Sequence, residues 1–203
     1  MDKKQLSLIK RTLCKNDSIM SGIINVVGTL TISTSRQSHF SALVRAIVDQ
    51  QLSVKAGHTI QKRLLQLQGG YYFKVENILA CTEKQMRECG LSGKKVSYIR
   101  TLAQAIVEGD LNFRKLVKKT NDEVAKELLY FPGIGQWTVD MFLMNSLKRL
   151  DVFPVGDLVI RKMIRHYYNL SEESKFIHYE AVAQAWAPYR SIASFYLWRS
   201  NSL

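Results

Sequence analysis

The sequence predicts an all-α fold, and three observations carry that prediction. Apolar residues recur at helical spacing through most of the chain. Only residues 30–34 (LTIST) and 152–153 look strand-like, and both stretches are short. The three prolines, Pro132, Pro154 and Pro188, each fall at an expected helix boundary or turn.

Taken in order, residues 39–48 place Phe40, Leu43, Val44, Ile47 and Val48 on one helical face. A second helix is predicted over 53–67, with Ser53 as its N-cap. Gly69 and Gly70 end it, and the aromatic segment 71–73 crosses to the next element. Residues 92–107 repeat the pattern through Val96, Ile99, Leu102, Ala103 and Ile106. A helical hairpin follows, its first helix over 121–129 and its second over 136–147. The second is apolar on nearly every side (Trp137, Val139, Met141, Phe142, Leu143, Met144), which predicts a central, buried helix. Amphipathic helices over 157–168 and 188–199 close the chain, with no long linker, low-complexity tract or repeat.

Composition narrows the function class. The chain has 203 residues and is 46% hydrophobic, enough for one compact unit or two small lobes. Lys and Arg number 29 against 17 Asp and Glu, a net charge of +12 with a pI near 9.7. Such a surplus favours a polyanionic partner, nucleic acid above all, although a ribosome-associated or membrane-surface protein has the same balance. No 18-residue apolar run occurs, so no membrane span is expected, and the N-terminus is too polar for a signal peptide. Cys14, Cys81 and Cys89 are odd in number and lack the spacing of a zinc or iron–sulfur site. They read as packing or surface residues in a reducing compartment, and the four histidines are scattered.

The chemistry concentrates in LLYFPGIGQWTVDMFLM, residues 128–144, and in Asp157 of VFPVGDLVI, 20 residues after Trp137. Pro132 fixes its own φ, while Gly133 and Gly135 can take backbone angles closed to other residues. Such a turn gathers N–H groups at a helix start, where a phosphate oxygen binds. The same pattern also serves as a plain corner between two helices. Asp157, after Gly156, is a natural N-cap of the helix that follows. That role is compatible with chemistry, because a carboxylate held by N–H groups is fixed in its charged form and can stabilise a developing cation. Trp137 and Trp198 read first as core residues, and second as pocket walls whose indole faces stack on bases. Lys94 and Lys95 beside Gly93 read as a solvated pair or as a second phosphate contact.

These residues together resemble the helix-hairpin-helix DNA glycosylases, and among them the 3-methyladenine DNA glycosylase II (alkylation-repair) branch. The likeness is carried by FSALVRAIVDQQLSVKAGHTI (40–60), GLSGKKVSYIRTLA (90–103), the hairpin block, DVFPVGDLVIRK (151–162) and WAPYRSIASFYLW (186–198). The five blocks cover most of residues 38–200 in the family's order. The resemblance implies two helical lobes with the active site in the cleft between them. One lobe is expected over 36–145 and the other over 1–35 with 146–203, in a short form without the β-containing domain that precedes longer relatives.

It further implies that Asp157 is the catalytic aspartate, assisting water in hydrolysis of the N-glycosidic bond. Trp137, Met141 and Trp198 fall at pocket positions, where electron-rich faces suit a purine made cationic by alkylation. The hairpin, through Gly133, Ile134, Gly135 and Gln136, is expected to grip a phosphate, with Gly93 and Lys94 as a second contact. Gln51 or Leu52 falls where relatives fill the gap left by the flipped base. Carbonyls of Leu129, Phe131 and Ile134 stand where a monovalent Na or K ion is cupped, and no required cofactor or iron–sulfur cluster is implied. Strand-cleaving relatives place a lysine where this chain has Trp137, so a monofunctional enzyme is expected, leaving an abasic site. Met141 departs from the aromatic of a well-studied branch, which leaves the lesion range between 3-methyladenine alone and one that includes 7-methylguanine and etheno-adenine. The implied setting is a monomer acting on alkylated duplex DNA, in a bacterial cytoplasm or a eukaryotic nucleus. The competing readings are a non-catalytic DNA-binding module and a bifunctional glycosylase-lyase.

Overall fold

A computed structural model describes residues 3–30 and 38–203. Its described residues form thirteen α-helices and one 3-10 turn, with no strand. In chain order the helices are α1 (Lys3–Asn16), α2 (Ser18–Val27), α3 (His39–Asp49), α4 (Val54–Leu67), α5 (Val75–Ala80), α6 (Glu83–Glu88) and α7 (Gly93–Glu108). Then come α8 (Phe113–Leu116), α9 (Asn121–Leu128), α10 (Gln136–Asn145), α11 (Leu158–Tyr168), α12 (Phe176–Ala183), the 3-10 turn Gln184–Trp186 and α13 (Arg190–Ser200). The strand-like stretch 30–34 lies outside the described residues except for Leu30. Residues 152–153 form no strand and lie in the loop that turns at 155–156. None of the described helices is long and apolar enough to cross a membrane.

The chain divides into two compact units, 1–35 with 148–203, and 36–147. In the first, α2 and α11 pack against α13. Its core brings Ile9, Leu13, Met20, Ile24, Ile160, Ile164, Trp186, Tyr196 and Leu197 together, each almost fully shielded from solvent. Asp17 is its polar hub. One carboxylate oxygen caps α2 by accepting from Met20 N–H at 2.9 Å. The other accepts from the Tyr168 hydroxyl at 2.7 Å and the Trp186 indole N–H at 2.8 Å. Burial and the neighbouring Asp17 push the Tyr168 phenol far above its ordinary pKa, so it stays a donor.

In the second unit α3 is the central helix, packed against α4, α7 and α10. It buries Phe40, Leu43, Val44, Ile47 and Val48, the face its periodicity marks. Gln61 of α4 braces it, donating to Asp49 Oδ1 at 2.6 Å and accepting from Arg45. The predicted N-cap at Ser53 forms, and Ser92 caps α7 in the same way, each accepting from the backbone N–H three residues on. Helix α10 differs from its prediction in two ways. It ends at Asn145 rather than 147, and it is not buried all round. Val139, Phe142, Leu143 and Met144 are shielded, while Trp137 and Met141 stay half-exposed on one face. The closing helix α13 likewise starts at Arg190, two residues after Pro188.

Candidate active site and nucleic-acid interface

The hairpin is built by local bonds. Helix α9 starts from a reciprocal cap in which Thr120 accepts from Glu123 N–H and the Glu123 carboxylate accepts from Thr120 N–H. The turn closes through Phe131 N–H to Leu128 O at 3.1 Å and Ile134 N–H to Phe131 O at 3.2 Å. Gly133 has φ +82, and a Cβ there would lie 2.1 Å from Cδ2 of Tyr98, so glycine is required on both grounds. Gly135 is different: its φ of −100 is open to any residue, and nothing lies within 4 Å of a Cβ built on it. The expectation that both glycines take special backbone angles is therefore corrected to Gly133 alone. Gly135 instead leaves the N-terminus of α10 without a side-chain cap. The first N–H groups of a helix have no intrahelical acceptor, so this end suits an anion.

Ile134 is buried and anchors the turn, while Gly135 and Gln136 are exposed. The Gln136 carboxamide donates to Asp140 Oδ1 at 2.8 Å, so that side chain is engaged within α10. Of the three carbonyls marked for a monovalent cation, that of Phe131 already accepts from Ile134 and keeps one lone pair. Uncharged carbonyl oxygens fit such an ion. Among the described residues no three His, Cys, Asp or Glu side chains form a metal-binding group.

Two further segments flank the turn within this unit. Gln50 Nε2 donates to Gly133 O at 2.7 Å and to Thr138 Oγ1 at 2.9 Å, tying the α3–α4 loop to the hairpin. In that loop Gln51 has φ +56, and Gln51 and Leu52 are both exposed. Gly93 and Lys94 are exposed at the start of α7, as a backbone or ammonium contact to phosphate requires. Lys95 is not a second such contact. Its Nζ donates to Val48 O at 2.7 Å and Gln50 O at 2.8 Å, closing the C-terminal end of α3. Burial lowers its pKa, with the nearby Asp49 acting in the opposite direction.

Asp157 lies in the other unit. Only 8% of it is exposed, and it is the N-cap of α11, its Oδ1 accepting from Ile160 N–H at 2.9 Å. The same oxygen accepts from Trp198 Nε1 of α13 at 3.1 Å. The cap reading and a functional reading therefore hold together, and Trp198 is half-buried beside the carboxylate rather than sunk in the core. The loop before Asp157 is fastened to the start of α13. Arg190 grips Asp151 in a two-pronged pair, Nε to Oδ1 at 2.7 Å and the terminal nitrogen to Oδ2 at 2.8 Å. The bonds from Arg190 hold the Asp151 carboxyl below its ordinary pKa. Ser191 N–H donates to Leu150 O at 3.0 Å, and its hydroxyl accepts from Val152 N–H at 3.0 Å. One helix thus anchors the loop at Asp151 and contacts its far end at Asp157. Asp151, Arg190, Ser191 and Gln50 carry no local pattern that marks them, because each acts through a partner distant in sequence.

The chain matches the family model described as HhH-GPD superfamily base excision DNA repair protein over residues 44–188. It is 29% identical to DNA-3-methyladenine glycosylase 1 of Schizosaccharomyces pombe, over all of this chain and 94% of that protein. The solved 3-methyladenine DNA glycosylase of S. pombe, in complex with abasic DNA, superposes with a TM-score of 0.89 at 29% identity, covering 96% of this chain and 97% of that one. A DNA-3-methyladenine glycosidase from Bacillus halodurans gives 0.77 at 35% identity, over 93% and 86%.

Proposed function

The chain belongs to the HhH-GPD superfamily of base excision DNA repair proteins, and on that premise we propose that it is a DNA glycosylase that removes alkylated purines from duplex DNA by hydrolysis. The observation that carries the chemistry is the Asp157 carboxylate, shielded from solvent and oriented by Ile160 N–H and the Trp198 indole. As the glycosidic bond breaks, positive charge develops on the sugar, and a fixed carboxylate stabilises it without having to reorganise. The same group orients the attacking water. Bonds to Oδ1 from two elements fix the rotation of the carboxylate, which is the preorganisation that this electrostatic role requires.

The half-exposed faces of Trp137 and Met141 suit a flat, cationic base. Reaching such faces requires the base to leave the stack, and a weakened pair leaves it most readily. With tryptophan at position 137, the enzyme is read as monofunctional, with an abasic site as its product. The uncapped N-terminus of α10 is the phosphate grip, Leu52 or Gln51 occupies the vacated stack, and the carbonyls of Leu129, Phe131 and Ile134 would hold a monovalent ion, which would supply positive charge at the hairpin.

The test is base release from methylated duplex DNA, resolved by chromatography. Wild type is expected to free 3-methyladenine, and Asp157→Asn to lower that rate by about 100- to 1,000-fold with duplex binding retained. Near-normal release by the variant would remove Asp157 from the mechanism. Binding with no release by wild type would make the protein a non-catalytic module.

A further inference from the structure

The loop joining α3 to α4 and the first residues of α4 are exposed from Gln51 to Lys55, with Val54 91% and Leu52 40% exposed. Two apolar side chains standing out from a chain of charge +12 await a partner that is apolar within and anionic without, as stacked DNA is. Inside the segment the Ser53 hydroxyl caps α4 and Leu52 N–H donates to Asp49 O at 3.2 Å, bonds that are local and do not reach the hairpin. Its link to the hairpin is Gln50, which is gripped from two directions. Its carboxamide has two N–H donors, one spent on Gly133 O and the other on Thr138 Oγ1. Its backbone carbonyl accepts from Lys95 Nζ, one helical turn before Tyr98, whose ring fills the space a Cβ of Gly133 would need. Gly133 is thus fixed by Tyr98 on α7 and Gln50 from the loop, two residues before the helix end that faces the phosphate.

We propose that Gln50 is a positioning residue that couples the phosphate grip to the inserting loop, so that seating a phosphate on the hairpin sets Gln51–Val54 at the depth that keeps a base out of the stack. The coupling rests on the glycosylase reading above. It makes a distinction that simple bracing of the fold does not. A brace affects every substrate alike, whereas a device for holding the stack open matters only when the lesion has a partner to leave.

The substrate is a pyrimidine strand containing one adenine, methylated, and annealed with either thymine or a tetrahydrofuran abasic analogue opposite that adenine. Release of 3-methyladenine is measured in single turnover for wild type, Gln50→Ala and the near-isosteric Gln50→Glu, which replaces the donor facing Gly133 O. Loss of the bond to Gly133 O, which both variants share, is expected to slow release opposite thymine by about 10-fold or more. Opposite the abasic analogue the rate should stay within about 3-fold of wild type, since no pair has to be broken. Thermal melting of each variant provides the folding control. Equal falls on both duplexes, or no fall on either, overturn the inference while leaving the glycosylase reading intact. If wild type frees no 3-methyladenine from either duplex, the glycosylase reading falls and this inference with it.

Discussion

Asp140 is the carboxylate on α10 that the proposed chemistry does not use, and it makes that helix sensitive to pH. It is 5% exposed, and burial raises its pKa from 3.8 to about 6, against the smaller opposing effect of the Gln136 bond. A folded-state value above the unfolded one means that its contribution is fully present below pH 4, declines as the unfolded state alone ionises, and is gone above about 6. Asp140→Asn keeps an acceptor for Gln136 and removes the charge. Its stability gain over wild type should open between about pH 4 and pH 6 and level off near 3 kcal/mol. Urea unfolding at pH 4, 6 and 8 reads this directly, and a gain of equal size at all three would exclude ionisation as its cause.

Among the elements, the hairpin separates two glycines that look alike in sequence. Gly133→Ala forces a left-handed φ on a side chain and drives it into the Tyr98 ring, at a cost of about 2–4 kcal/mol. Gly135→Asp meets no neighbour and supplies the side-chain cap that α10 lacks, so stability should hold or rise. Its carboxylate then occupies the anion site, and affinity should fall alike for damaged and undamaged duplexes. Unfolding curves paired with binding titrations distinguish the two, and a Gly135→Asp that binds normally would remove the phosphate from this helix end. The hairpin, the cap at Ser53 and the Asp157 cap were legible because each is set by residues three or four apart. Helices α5, α6 and α8, of four to six residues, are too short to establish a period. The Trp198 partner of Asp157 is 41 residues away, and the Gln50 contacts are 83 and 88 away, distances at which a single sequence leaves no mark. The half-exposure of Trp137 and Met141 was masked by composition, since an apolar helix reads as buried whether its last open face meets core or ligand.

At the scale of the molecule, the two units differ in how the chain composes them. Residues 36–147 are one continuous stretch, whereas the other unit joins the two ends of the chain. Asp17 sits at that join, and its bond to Trp186 spans 169 positions. During synthesis the amino-terminal helices therefore leave the ribosome long before Trp186 exists. At ~5–20 residues per second the wait is about 10–30 s. Through that interval α1 and α2 can pack on each other, but the side of α2 that meets α13 has no partner, while the continuous unit can already close. Stalled nascent chains ending beyond residue 147 should yield a protease-resistant fragment over 36–147 with the leading helices still cleavable, and protection of those helices should appear only after the last residues emerge. Helices α1 and α2 are made well before the elements that secure them, so the surface of α2 meant for α13 stays uncovered through most of the intervening translation.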